Sequence, residues 1–202
     1  MNLFNDTLPT EYEYGGRVYE FQTDFREWIK FELLLTDSDI PMTDKARRLV
    51  EIIFPTAPPD ERLWEFLLWF YKCGRDPPKV KSNSSMAKKQ TAVYSFEYDD
   101  GYIFAAFMEV YGIDLVDVPY LHWWKFKAMF RALHDCKITD IMGYRSEDVK
   151  KAPEYRKKFV EDMKRLHALP RSLSEQQKID ELKRIKKQAG YCLFGVGLLF
   201  FS

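Results

Sequence analysis

The chain has 202 residues, of which 46% are hydrophobic and 31% charged, with 9 glycines and 10 prolines. This composition excludes disordered and collagen-like proteins and is typical of one globular domain, or of one domain with a small second one. Lysine plus arginine and aspartate plus glutamate each number 31, so attraction of the whole molecule to nucleic acid is not expected. Three widely spaced cysteines predict reduced thiols in a cytosolic protein and no zinc site.

Charge is distributed unevenly along the chain. The net charge is −6 over residues 1–76, +4 over 77–95, −5 over 96–149 and +7 over 150–202. The first basic stretch is rich in proline, serine and lysine and has almost nothing to bury, which predicts a mobile loop at about 75–93. We therefore expect a single helical domain over residues 1–170, and a C-terminal helix with an apolar tail over 171–202.

The first predicted element is a β-hairpin over residues 10–21. Alternating β-forming residues lie on either side of Gly15 and Gly16, and glycine adopts the positive φ that a two-residue hairpin turn needs. Because a lone hairpin is marginally stable in water, we expect it to pack against the helices that follow.

The spacing of apolar residues then predicts a series of helices. Before the loop, one helix covers 24–36, a second runs from the N-cap Thr43 to residue 53, and a third begins near Asp60 and stops at Gly74. The third is apolar nearly all round, so it should be central. After the loop, one helix ends at Gly112, and others are predicted near 119–133, 139–144, 154–169 and 175–189. The predicted fold class is mainly α, a bundle of about seven helices with an N-terminal hairpin.

The motifs of common enzymes are absent from the sequence. It contains no phosphate-binding glycine loop and no nucleophile elbow. His134, Asp135 and Cys136 are adjacent, but neighbouring positions on a helix point to different faces and cannot form a triad. The adjacent carboxylates Asp99 and Asp100 are best explained as helix capping. We predict a protein that is not an enzyme and has no metal or cofactor, with a small hydrolase or metal enzyme around His134 and Cys136 as the least favoured class.

Basic and aromatic residues alternate within residues 123–127. On a helix, Trp124 and Phe126 point about 200° apart, so one is expected in the core and the other on the surface. Three interpretations stay open: a core helix with a solvated lysine edge, a protein-binding face, and a nucleic-acid-binding face. Trp123 and Phe126 are the candidate partner-binding residues of this segment.

The C-terminal end is an apolar segment without a charge after Lys187. It is too short to span a bilayer, so no membrane contact is expected. Left in water, it would expose more apolar surface than a monomer usually tolerates. We expect it to fold back against the hairpin or the third helix, or to add to a neighbouring subunit and cause self-association. Its candidate partner-binding residues are Leu193, Phe194, Leu198 and Phe200.

Seven blocks in order along the chain resemble one known family. They are 23–28 (TDFREW), 31–35 (FELLL), 67–74 (LLWFYKCG), 94–99 (YSFEYD), 111–115 (YGIDL), 120–126 (YLHWWKF) and 141–145 (IMGYR). The chain resembles, over about residues 7–170, the bacteriophage gene-product-fifteen family of siphophages and prophages of Gram-positive bacteria.

This resemblance implies a function in tail assembly. Such proteins are usually encoded between the major tail protein and the tape-measure protein, which implies a non-enzymatic chaperone that binds both before the tail tube forms. The implied location is the cytoplasm of the bacterial host, with the protein absent from the mature virion. The alternative function is that of a nucleic-acid-binding accessory protein that uses the basic segments 77–95 and 150–189.

Overall fold

The computed structural model describes residue 3, residues 5–56, 60, 62–75 and 92–170, and five positions between 176 and 184. Two strands and seven α-helices lie in these residues, which confirms the predicted mainly α fold with an N-terminal hairpin. They are β1 (Glu11–Tyr14), β2 (Arg17–Glu20), α1 (Phe25–Thr36), α2 (Met42–Ile53), α3 (Leu63–Tyr71), α4 (Asp100–Tyr111), α5 (Trp123–Ala132), α6 (Lys137–Ser146) and α7 (Glu154–Leu166).

The chain divides into two compact units. The first comprises Met1–Thr36 and Met42–Leu169 and holds all of the strands and helices named above. The second comprises Asp37–Pro41 and Pro170–Ser202. Of the predicted helix 175–189, the structure describes residues 176, 177, 180, 181 and 184, all helical. Most of the predicted loop, and the apolar tail with its four candidate residues, lie outside the described residues.

The hairpin forms as the glycine pair predicts. Gly15 and Gly16 have φ of 58° and 74°, and Tyr12 pairs with Tyr19 across the turn. The Tyr12 ring stacks on Phe66 of α3, with centroids 4.0 Å apart. The hairpin therefore packs against the third helix, which contributes the hydrophobic support that two strands lack by themselves.

Helix α3 lies in the middle of the core. Its residues Leu63, Phe66, Leu67 and Phe70 are all buried, in agreement with the predicted central position. The helix begins three residues after Asp60, whose carbonyl accepts a hydrogen bond from the Leu63 N–H. The helix thus covers the apolar run Leu63–Tyr71 and is shorter than the predicted span from near Asp60 to Gly74.

Two helix starts differ from the prediction. Helix α2 begins at Met42, so Thr43 lies inside the first turn and is not the N-cap. Helix α5 begins at Trp123 rather than near Pro119. The segment before it is extended because His122 forms a β-bridge with Asp24. His122 then caps α5 by accepting a hydrogen bond on Nδ1 from the Trp124 N–H at 3.1 Å.

The loop between α4 and α5 is held by one arginine of α1. Gly112 ends α4 with a φ of 64°, and a left-handed residue at this position favours glycine. Arg26 Nη2 donates to the carbonyl oxygens of Leu115 at 2.9 Å and of Val118 at 2.7 Å. These bonds connect the loop to the start of α1.

Candidate interaction surfaces and buried polar cluster

The aromatic residues of α5 are buried on more than one face of that helix. Trp123 and Phe126 are both 0% exposed. The Phe126 ring stacks on Phe25 and on Phe107, at 4.8 and 5.1 Å between centroids. In this conformation neither candidate residue offers its side chain to a partner.

Trp124 is buried as well, against α3. Its indole Nε1 donates to the Phe70 carbonyl at 2.8 Å, and its ring contacts Phe70 and Trp69. The expectation that either Trp124 or Phe126 would be at the surface is therefore wrong. The physical reason is that α5 lies between α3 and the helices α1 and α4, so partners cover both directions.

A polar cluster lies inside this aromatic core. Glu32 of α1 accepts hydrogen bonds from the hydroxyls of Tyr71 and Tyr94, each at 2.7 Å. Lys127 of α5 lies 3.5 Å from the Glu32 carboxylate and 3.2 Å from the Tyr94 hydroxyl. Its ammonium also lies 4.9 Å from the centre of the Trp123 ring. The cluster joins α1, α3, α5 and the segment before α4.

Burial dominates the electrostatics of this cluster. It lowers the pKa of Lys127, against the opposing effect of Glu32. Burial also raises the pKa values of Tyr71 and Tyr94, and the Glu32 charge raises them further. Both hydroxyls therefore keep their protons and donate hydrogen bonds to the Glu32 carboxylate. Glu32 and Lys127 are only 8% and 7% exposed. Their buried polar contacts therefore hold α1, α3, α5 and the segment before α4 together.

Asp99 does not cap α4, contrary to the prediction. Although it occupies the N-cap position, its side chain makes no capping bond. It is instead 2% exposed, accepts a hydrogen bond from the Ser95 N–H, and pairs with Arg145 of α6. Arg145 is 46 positions away from Asp99 in the sequence, so local spacing gave no sign of this bidentate pair.

His134 and Cys136 have different partners. His134 Nδ1 lies 3.1 Å from Asp135 Oδ2 on the exposed surface. Cys136 is buried at the start of α6, where its N–H donates to the Thr139 hydroxyl at 3.2 Å. Within the described part of the chain, no group of three potential ligands could hold a metal ion.

The basic segment 150–165 uses many of its charges within the molecule. Of its seven lysines and arginines, three form ion pairs, Arg156 with Glu147, Lys157 with Glu154 and Arg165 with Asp162. A fourth, Lys164, donates to two backbone carbonyls at the end of α6. The other three, Lys150, Lys151 and Lys158, are exposed, so the segment keeps part of the positive surface that nucleic-acid binding would use.

The outer face of α7 carries large apolar side chains that the sequence analysis missed. Tyr155, Phe159 and Leu166 are 88%, 46% and 69% exposed, and their spacing of i, i+4 and i+11 places them on one face. We call these three residues the α7 face. The signal for it was present in the sequence, because helix-spaced apolar residues remain within a highly charged segment.

The opposite side of α7 fixes the helix to α6. Val160 is the only buried residue of this helix, and the Tyr144 ring of α6 stacks on His167 just after the helix. The same ring also contacts Phe159 of the α7 face edge-on, so α6 covers part of that residue. Arg145 Nε also donates to the His167 carbonyl at 2.6 Å. The α7 face is therefore presented by a helix with defined contacts at its back.

Comparisons with known proteins place the chain in a family. No helix in the described residues is long and apolar enough to cross a membrane. No curated protein and no solved structure matches the chain. The family model for the bacteriophage Gp15 protein matches residues 4–169, nearly the whole of the first compact unit. The resemblance found in the sequence is thus confirmed, and the chain belongs to the bacteriophage Gp15 protein family.

Proposed function

We propose that this phage protein is a non-enzymatic tail assembly chaperone that binds the tape-measure protein and tail-tube subunits during tail morphogenesis. It acts in the cytoplasm of the bacterial host and is absent from the mature virion. Membership of a phage family supports the viral context. The α7 face is the single observation that supports binding of a partner.

The α7 face has the properties of a helix-docking surface. Apolar anchors repeated along one helix are how helices recognise a hydrophobic partner helix. Burying the largely exposed Tyr155 and Leu166 side chains would stabilise a complex through the removal of apolar area from water. The ion pairs of Arg156 and Arg165 leave charged groups at the edge of the face, as in a typical interface with a polar rim.

Co-expression with the tape-measure and tail-tube proteins of the same phage, followed by affinity capture, tests this function. We expect the unmodified chain to retain at least one of them. The double variant Tyr155→Ser with Leu166→Ser should retain at least tenfold less, because it removes two anchors. Its melting temperature should change little, since both side chains are exposed.

Val18→Ser is the matched control, because Val18 is also an exposed apolar residue but belongs to the hairpin. It should retain the same partner or partners as the unmodified chain, in the same amount. Failure of the unmodified chain to retain either protein would refute the chaperone function. Equal retention by the α7 double variant would refute the assignment of binding to α7.

A further inference from the structure

A second exposed face, on α4, has a different chemical character. Gly101, Ala105, Met108 and Gly112 are all exposed and follow one another at i, i+4, i+7 and i+11, which makes a narrow stripe along three turns. Tyr98 and Tyr102 lie beside this stripe. We call these six residues the α4 face.

The α4 face has mostly small residues along its centre and two tyrosine rings at its edge. Tyr98, Tyr102 and Met108 are 51%, 43% and 42% exposed. A Cβ atom added at Gly101 or Gly112 would meet no described atom within 4 Å. A helix lying along the stripe could therefore approach the α4 backbone closely, as small contact residues allow.

Within the described part of the chain, nothing requires glycine at position 101. Its φ is not in the left-handed region and no described atom would obstruct a side chain. Gly101 is the second residue of α4, where glycine still loses more backbone entropy on folding than alanine does. Gly112 differs, because its φ of 64° ends the helix. Gly101 thus weakens α4 without an internal benefit, and close approach of another backbone is the benefit that glycine provides.

The stretch of chain that forms the α4 face is acidic. Residues 93–124 contain six acidic side chains and no lysine or arginine. Asp99 is neutralised by Arg145, while Glu97, Asp100 and Glu109 are exposed on or next to the helix. Charge complementarity across an interface steers association and selects the partner, so a positively charged occupant suits this face.

We propose that the α4 face binds an amphipathic helix of another protein whose apolar stripe is flanked by lysine or arginine. The stripe of the partner packs on Gly101, Ala105 and Met108 and against the two tyrosines. Its cations face Glu97, Asp100 and Glu109. This surface lies on a different helix from the α7 face, so its test is independent of the proposed chaperone function.

The test uses two synthetic amphipathic helical peptides with the same leucine stripe, one flanked by lysine and the other by glutamate. Fluorescence anisotropy measures their binding to the full-length protein. We expect the lysine peptide to bind at least tenfold more tightly than the glutamate peptide. Its affinity should fall with added salt, because exposed charges are screened.

Gly101→Gln is the decisive variant. It places an uncharged side chain in open space, so the fold is kept, but it obstructs the stripe and should weaken the lysine peptide at least tenfold. Gly143→Gln in α6 is the matched control, because Gly143 is another exposed helical glycine whose Cβ would meet nothing within 4 Å. Both variants should melt at or above the temperature of the unmodified chain, and Gly143→Gln should bind the peptide normally.

Three results would overturn the proposal. The first is that neither peptide binds, or that both bind equally. The second is that Gly101→Gln and Gly143→Gln bind the lysine peptide alike. The third is that the protein alone self-associates in sedimentation experiments and Gly101→Gln abolishes this association, in which case the occupant is a second copy of the chain.

Discussion

Asp99 and Arg145 form a bidentate ion pair in the interior of the first compact unit. The Arg145 Nη1 atom lies 2.6 Å from Asp99 Oδ2, and Nη2 lies 2.9 Å from Oδ1. Arg145 also donates to the carbonyls of Val93 and His167. One side chain of α6 thus connects the start of α4, the segment before it and the end of α7.

Replacing Arg145 should destabilise the protein strongly. Arg145→Met leaves the buried Asp99 carboxylate without its counter-charge, and breaking a buried pair in this way costs about 3–5 kcal/mol. Urea denaturation monitored by tryptophan fluorescence measures the change in the free energy of unfolding. Arg165→Met is the control, because its pair with Asp162 is exposed and is worth at most about 1 kcal/mol. Equal effects of the two substitutions would contradict this ranking.

The Glu32–Lys127 pair should show strong coupling. Glu32→Gln leaves the Lys127 ammonium buried without a carboxylate and should cost about 3–5 kcal/mol. Adding Lys127→Met removes the unpaired charge, so the double variant should be more stable than Glu32→Gln alone. A double-mutant cycle in urea measures this interaction energy. Additive effects of the two substitutions would show that the pair does not act as a unit.

His122 should make stability depend on pH. Burial lowers its pKa to about 4 from an ordinary value of 6.5, and the Pro9 carbonyl opposes this only in part. Between pH 6.5 and about 4, the unfolded chain binds a proton at this residue that the folded chain does not. The free energy of unfolding should therefore fall as the pH falls through this range, by about 2–3 kcal/mol at 1.36 kcal/mol for each pKa unit.

His122→Asn isolates this contribution. Asparagine is a good N-cap but does not titrate, so the variant should lose stability less steeply between pH 6.5 and 4 in urea titrations. His167→Asn is the comparison. Burial also lowers the pKa of His167, so this residue too makes the free energy of unfolding fall as the pH falls. An unchanged slope in His122→Asn would show that His122 does not titrate as described.

Gly74→Ala should be more costly than Gly112→Ala. Both glycines have a φ of 64°, so both substitutions carry the cost of a left-handed alanine, about 1 kcal/mol. Only at Gly74 would the new Cβ lie 2.8 Å from Trp124 Cη2 and 3.2 Å from Trp69 Cζ2. We expect at least about 1 kcal/mol of additional destabilisation there, measured by thermal unfolding. Equal melting temperatures of the two variants would contradict the tight contact.

The sequence by itself determined the parts of this protein that depend on neighbouring residues. The Gly15-Gly16 pair predicted the hairpin because positive φ is a local property of glycine. Apolar spacing predicted the helices and the fold class for the same reason, since a helix face is set by residues three and four apart. The family blocks were likewise read directly from residue order.

Only the tertiary structure decided which side chains are buried and which polar groups meet. Glu32 and Lys127 lie 95 positions apart, and no local pattern indicates their contact. Trp123 and Phe126 were predicted to bind a partner, but both are buried because α1, α3 and α4 pack around α5. Conversely, Tyr155 of α7 and Tyr102 of α4 are exposed, and helix spacing alone did not indicate this. These outcomes depend on how helices pack against one another, and helix periodicity gives the direction of a face but not what lies opposite it.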